Sequence, residues 1–404
     1  MSVHELALQR SKYKHLSDDE WRWFLQQVEG RERTADKLPA FAAVEDWWYP
    51  VRLSCEQCSS ELTAKYKASI LPSLQKGFEG RFVDLTGGYG VDTYFMSEHF
   101  AHTDYVEQNE ELCRIAKHNF SLPTPSRPKG KEIYVHHSTA EDFLIQGKYD
   151  LIFLDPARRD SHGGKVFRLE ECTPDVVELL PTLLSHLTPD GHIMLKLSPM
   201  LDITQAVKEL TFVPCTSSPC TLTWDVHVVA VKNEVKEVLL LSKCSNEPIN
   251  GKMVNAITAI DLSKKEQAFV FTREEEQECP SSFPLSSFTF LYEPNAAILK
   301  AGAYKLVAQR FGLTKLDVNT HLYASDTLIA HFPGRIWRIK EPTPSLPKGK
   351  EVNQANVLTR NYPLTPEALK KKLHLRDGST AYVIGCRVAG KPTLFYAERV
   401  EDIH

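Results

Sequence analysis

Cysteine is scarce in this chain, with nine among 404 residues, far too few for the disulfide framework of a small extracellular scaffold. No run approaches 18 uninterrupted apolar residues, so no helix is expected to span a membrane. Residues 1–16 are polar and charged and lack the apolar core of a secretory signal. The expectation is a cytoplasmic protein with reduced thiols. Net charge is also small: 48 Lys plus Arg against 52 Asp plus Glu leaves −4. Apolar residues at 42% and charged residues at 25% are ordinary globular usage, which excludes collagen-like and wholly disordered chains.

The small total hides an asymmetry. Residues 291–404 hold 17 basic and 10 acidic side chains, a net of +7, which leaves 31 and 42, a net of −11, for the rest. An acidic body with a basic end keeps a phosphate-bearing partner in play. In that end, Lys348, Lys350, Arg360, Lys370, Lys371, Lys372, Arg376, Arg387 and Lys391 supply neutralising charge. A solvated basic helix face is the plainer alternative.

Along the chain, residues 1–78 read as a helical domain. Asp18 is placed to cap a helix through Trp21, Phe24, Leu25 and Val28, with Gly30 as its stop. The Trp47, Trp48, Tyr49 cluster suggests either a stacking surface or, more simply, rings that pack the helices onto their neighbour. Residues 79–273 alternate short apolar runs with amphipathic segments, the pattern of a parallel α/β sheet. Strands are expected at 82–86, 105–107, 133–136, 151–155 and 192–197, and helices at 92–100, 110–119 and 175–187. A hairpin follows at 224–231 and 236–242, then short strands at 256–261 and 267–271.

Residues 274–332 and 333–404 read as two small α+β domains. The first opens on an acidic connector, 274–287, followed by a strand at 288–292 and a helix at 295–311. The second carries strands at 335–339, 356–360, 381–387 and 393–399, and a helix at 366–373 capped by Thr365 with Pro366 behind it.

The chemistry concentrates after the first strand, in Asp84-Leu85-Thr86-Gly87-Gly88-Tyr89-Gly90-Val91-Asp92. A strand ending in an acid, then a Gly-rich turn into a helix, is a cofactor loop at the carboxyl edge of an α/β sheet. It lacks the Gly-x-Gly-x-x-Gly of dinucleotide folds, which argues against a nicotinamide oxidoreductase, and it lacks the Gly-Lys-Ser/Thr of phosphate-binding loops. An acid before the turn suits a phosphate-free cation such as S-adenosylmethionine. Glu107, with Gln108 after it, ends the second strand, where a carboxylate can accept both ribose hydroxyls. Asp142 follows the third strand and is placed to accept from the adenine amino group. Asp155-Pro156 closes the fourth.

This series resembles class I S-adenosylmethionine-dependent methyltransferases, and Asp155-Pro156-Ala157-Arg158 is similar to the Asp/Asn-Pro-Pro motif of nucleic-acid base methyltransferases. That resemblance implies that Asp155 and the backbone beside it hold the nitrogen to be methylated. Ala157 and Arg158 depart from the motif's second Pro and aromatic residue. More narrowly, the chain resembles bacterial class I methyltransferases that carry a ferredoxin-like segment and a C-terminal THUMP-like domain. The resemblance rests on 84–92, 105–109, 155–160, Tyr292-Glu293-Pro294-Asn295, Phe332-Pro333-Gly334-Arg335 and 356–362. It implies a Rossmann-like seven-strand catalytic domain and an RNA substrate, tRNA or rRNA.

The expected cofactor residues are thus Asp84, Thr86, Gly87, Gly88, Gly90, Glu107, Gln108 and Asp142, with Asp155 and Pro156 catalytic. Substrate contacts are expected from Arg158, Arg159, Lys165 and Arg168, in and beside a substrate-gripping loop, and from Lys370, Lys371 and Lys372. Covalent catalysis by Cys215 or Cys220 is disfavoured, because neither sits at the expected strand end. Cys55 and Cys58 lack a second pair, so no metal site is expected. No obligate protein partner is implied. A methyltransferase of proteins or small molecules, and an inactive RNA-binding relative, stay open.

Overall fold

The structure, a computed structural model, describes residues 3–71, 80–123, 132–143, 147–158, 168–211, 221–245, 253–264, 268–280, 288–341, 354–378 and 380–401. They form two compact units. The first takes Met1–Asp225 and Val238–Met253, the second Val226–Glu237 and Val254–His404.

In the first unit, helix α1 (Asp18–Thr34) is capped by Ser17, not by Asp18. Ser17 accepts from the Glu20 N–H while the Glu20 carboxylate returns to the Ser17 N–H, which satisfies two orphan donors at once. Nor does Gly30 stop the helix. It lies inside it, at a point of close approach where a Cβ would stand 2.2 Å from Tyr49 Cβ. Helices α2 (Arg52–Gln57) and α3 (Glu61–Ser69) follow. Trp47 stacks on Phe41 at 4.1 Å and donates to the Tyr89 hydroxyl at 2.9 Å. Tyr89 belongs to the Gly-rich loop, so these rings fasten the N-terminal helices onto it, and Trp48 stacks on His118 at 3.7 Å.

Strands β1 (Arg81–Asp84), β2 (His102–Glu107), β3 (Glu132–His137), β4 (Tyr149–Leu154) and β5 (Leu187–Leu197) are parallel. The long hairpin β6 (Thr221–Val231) and β7 (Glu234–Ser245) joins them, with β7 antiparallel to β5. The order in this unit is β6-β7-β5-β4-β1-β2-β3. Helices α4 (Val91–Met96), α5 (Glu110–Ser121) and α6 (Val176–Ser185) connect the strands. An unexpected helix, α7 (Ile203–Thr211), follows β5. Phe82, Val83, Ile152, Phe153, Ile193 and Met194 are buried, as a parallel sheet covered on both faces requires. Each such side chain contributes about 1.5–3 kcal/mol. Asp84 stands level with Tyr105 and Phe153, so the loops after β1, β2 and β4 leave one common edge.

The second unit takes the outer half of the hairpin and adds β8 (Val254–Asp261) and β9 (Phe269–Phe271) to it. Strand β9 runs antiparallel to β8. Two expectations are corrected here. The acidic connector opens as helix α8 (Arg273–Glu278), nucleated by a capping box between Thr272 and Glu275. The expected helix at 295–311 is two helices, α9 (Ala296–Ala301) and α10 (Leu306–Phe311). They part at Gly302, whose φ of +85° ends α9 as a left-handed cap.

A second sheet in this unit has the order β11-β12-β10-β13-β16-β15-β14. These are β10 (Phe290–Pro294), β11 (Thr314–Asp317), β12 (Thr320–Ser325), β13 (Gly334–Glu341), β14 (Asn356–Arg360), β15 (Ala381–Val388) and β16 (Lys391–Arg399). Helix α11 (Pro366–Lys372) carries the Thr365 cap as expected. Glu293 on β10, with only 5% of its side chain exposed, meets Arg360 at 2.5 Å and Arg335 at 3.5 Å. Among the described residues no helix is long and apolar enough to cross a membrane.

Candidate active site

A cavity of about 250 Å³ opens at the carboxyl edge of β1, β2 and β4. Asp84, Thr86, Gly87, Gly88, Gly90, Glu107, Gln108 and Asp155 all line it. The loop between β1 and α4 is shaped by contacts that leave no room for side chains. A Cβ on Gly87 would sit 2.1 Å from the Tyr105 ring. Gly90, at φ +81°, leads into α4 in a backbone conformation that L residues rarely adopt. The Tyr105 hydroxyl donates to the Gly88 carbonyl at 2.6 Å, and the Gly88 N–H donates to Glu107 Oε2 at 2.8 Å. Glu107 Oε1 accepts from the Asn109 N–H, also at 2.8 Å. Glu107 is therefore held by two amides and keeps further lone pairs for a ligand.

Asp84 is buried at the cavity floor. Its carboxyl accepts from the Thr86 N–H at 3.0 Å and the Thr93 hydroxyl at 2.5 Å. Burial pushes its pKa up to about 7, against the pull of those two hydrogen bonds and with a further push from Asp92 and Asp155. The Asp155 N–H donates to Thr86 Oγ1 at 2.6 Å, which ties the end of β4 to the same loop.

Beside this floor runs an ionic chain. The Lys196 ammonium, on β5, is hydrogen-bonded to Asp155 Oδ2 and stands 3.7 Å from Asp92 Oδ2. Lys67, on α3 and fully buried, approaches Asp92 Oδ1 at 3.2 Å. The Ser59 hydroxyl donates to Asp92 Oδ2 at 2.7 Å. Burial opposes the Asp92 charge, but the two lysines and Ser59 outweigh it and hold its pKa below the usual range.

The sequence sets the basic residues of the 59–67 helix, Lys67 among them, toward the mouth of the site, but it singles out neither Lys196 nor Ser54 and Gln57, which also line the cavity. The two lysines left a signal. Lys67 shares a helix face with Ala64 and Ala68, and Lys196 interrupts the apolar run 193–197.

The other sequence candidates are placed differently. Asp142 is exposed and caps a turn, where it accepts from the Thr139 hydroxyl at 2.9 Å. The cavity wall there is formed by Ser138, Thr139, Ala140 and Glu141 instead. Pro156 follows Asp155 without lining the cavity, whereas Ala157 lines it. The Arg158 backbone pairs with Cys172 in a short antiparallel bridge. Arg168 is exposed and bound to Glu170 at 3.1 Å. Arg159, Lys165, Cys215 and Cys220 lie outside the described residues. In the second unit, Lys371 and Lys372 are exposed on α11, and Lys370 pairs with Asp377. Cys58 lines the cavity with its thiol donating to the Cys55 carbonyl at 3.2 Å, and burial pushes its pKa up, the opposite of a nucleophile's tuning.

A ferredoxin-like domain model matches residues 290–333, and a THUMP domain-like model matches 334–399. A solved structure from Porphyromonas gingivalis W83, described as a candidate methyltransferase, is 32% identical and superposes with a TM-score of 0.82, over 96% of this chain and 92% of that one. Others overlap more loosely. One is a candidate class I S-adenosylmethionine-dependent methyltransferase from Listeria monocytogenes, at 11% identity and TM-score 0.38 over 53% of this chain and 68% of that one. Another is the M. jannaschii tRNA m1G37 methyltransferase, at 12% identity and TM-score 0.31 over 47% of this chain and 51% of that one. No curated protein sequence matches the chain.

By fold, then, this is a methyltransferase-like α/β protein with ferredoxin-like and THUMP-like domains at its C-terminal end. The chain belongs to the bacterial family of class I methyltransferases that carry a ferredoxin-like segment and a C-terminal THUMP-like domain.

Proposed function

We propose that the protein transfers a methyl group from S-adenosylmethionine to a base nitrogen of tRNA or rRNA. The observation that carries this reading is the convergence of Asp84, Glu107 and Asp155 on one cavity beneath a glycine-walled loop. The residues fit the cofactor. Gly87 and Gly90 let the loop close onto Tyr105 and Phe120 at the cavity edge, Glu107 has lone pairs for two ribose hydroxyls, and buried Asp84 suits a cation. When bound, the cofactor supplies an electrophilic methyl group on a sulfonium. Asp155, 39% exposed, accepts a hydrogen from the acceptor nitrogen and so orients its lone pair. Orientation of this kind is the main catalytic demand of an in-line displacement. The basic residues of the THUMP-like segment, Lys370, Lys371 and Lys372 among them, serve as phosphate contacts in this reading.

Nucleoside mass spectrometry of tRNA and rRNA from cells with and without the gene tests it. One methylated nucleoside is expected to vanish, and identical profiles would count against an RNA substrate. The cofactor half has its own test in pH. Asp84 must give up its proton to pair with a cation, and in the free protein it does so only near pH 7. Affinity for S-adenosylmethionine is therefore expected to rise about tenfold between pH 5.5 and 7, with proton release on binding. Calorimetry in buffers of differing ionisation enthalpy reads both, and a flat affinity without proton release would remove Asp84 from the cofactor site.

A further inference from the structure

The ionic chain Lys67–Asp92–Lys196–Asp155 has a use beyond holding the loop. Two ammonium groups alternate with two carboxylates, from a lysine with no exposure to an aspartate at the cavity surface. The groups facing Asp155 come from three elements: Asp84 and Thr86 at the end of β1, Asp92 on α4, and Lys196 on β5, with Lys67 on α3 reaching it through Asp92. Without Lys196, Asp155 would face two other carboxyl groups, those of Asp84 and Asp92.

We infer that Lys196 is a positioning residue that restricts the methyl acceptor to an uncharged nitrogen, by holding Asp155 in an ion pair at the cavity floor. The inference rests on the reading of this cavity as a methyltransferase site and narrows its substrate class. A protein lysine or an alkylamine arrives as an ammonium ion at neutral pH. It would have to compete with Lys196 for Asp155, and it meets a charge already neutralised. A nucleobase amine or ring nitrogen is neutral and planar, and it asks for one acceptor oxygen. Lys196 occupies Asp155 Oδ2 and leaves the rest of the carboxylate for that purpose. Its flanking residues, Leu195 and Leu197, are buried in β5, so the ammonium is delivered from a rigid strand. Methylation of a neutral amine leaves an extra proton on the nitrogen, and the Asp155 carboxylate takes it and passes it to water.

The test uses the full chain, tritiated S-adenosylmethionine and total RNA from cells lacking the gene. Lys196→Met is expected to bind S-adenosylhomocysteine within about threefold of wild type. Its methylation rate at saturating RNA is expected to fall about thirtyfold, with KM for RNA within about threefold of wild type. Lys196→Arg restores most of the rate. Adding Lys196→Met to Asp155→Asn costs no more than Asp155→Asn alone, because the lysine acts through the aspartate. If Lys196→Met does not fold, Lys196→Gln carries the same comparison. A loss confined to KM, or additive losses in the double variant, overturns the positioning role. Wild-type transfer to protein lysines or alkylamines in place of RNA overturns the neutral-acceptor inference. A wild-type protein that does not bind S-adenosylhomocysteine strikes instead at the methyltransferase reading beneath it.

Discussion

Asp155→Ala is expected to slow methyl transfer to RNA about 10³-fold, or about 4 kcal/mol of barrier. Binding of S-adenosylhomocysteine is expected to stay within about threefold, because the cofactor contacts sit on β1 and β2. The size follows from what the residue does in this cavity. Its backbone N–H is committed to Thr86 and one carboxylate oxygen to Lys196, so the remaining oxygen is the group left to orient the acceptor. Asp155→Asn should lose less than Ala, since its amide oxygen can still accept, but it leaves Lys196 without its counter-charge. Single-turnover rates with saturating cofactor separate the two effects. A kcat loss below tenfold for Ala would move the acceptor contact elsewhere in the cavity.

The second large effect is on stability. Lys67→Met is expected to destabilise the first unit by about 3 kcal/mol, the lower end of the cost of breaking a buried ion pair. The lysine side chain has no exposure and faces Asp92, which is 10% exposed. Asp92 keeps Ser59 and the more distant Lys196, which limits the loss. The size of the effect comes from the charge left behind, so Lys67→Met combined with Asp92→Asn should recover much of it. Urea unfolding followed by tryptophan fluorescence reads this, since Trp47 is buried between α1 and the Gly-rich loop in sequence. A double variant no more stable than Lys67→Met alone would show that the ion pair is not the source.

The parts of the site made by consecutive residues were legible in the sequence. The turn from Asp84 to Gly90 and the acids at 107 and 155 follow from strand periodicity and glycine chemistry, and the cavity gathers them. Asp142 was placed by analogy of position. The structure instead spends that carboxylate on capping the turn at Thr139. Lys196, and its meeting with Lys67 and Asp92, were missed because the three come together only in three dimensions, from α3, α4 and β5. Periodicity could have flagged both lysines as polar interruptions of apolar patterns, but not their common partner. In the fold, errors fell where local chemistry decides an end. Ser17 outcompetes Asp18 as a cap, and Gly302 splits a continuous apolar pattern into α9 and α10.

Glu293 bears on how the C-terminal segments are inherited. It lies in the stretch matched as ferredoxin-like, while Arg335 and Arg360, its two cations, lie in the stretch matched as THUMP-like. Strand β10 of the former pairs along its whole length with β13 of the latter, from Phe290 with Arg338 to Pro294 with Gly334. A cut at the boundary between the two matched stretches would expose both strand edges and leave a buried carboxylate without a counter-charge. The two names thus describe parts of one hydrogen-bonded sheet, closed across their boundary by a shared carboxylate.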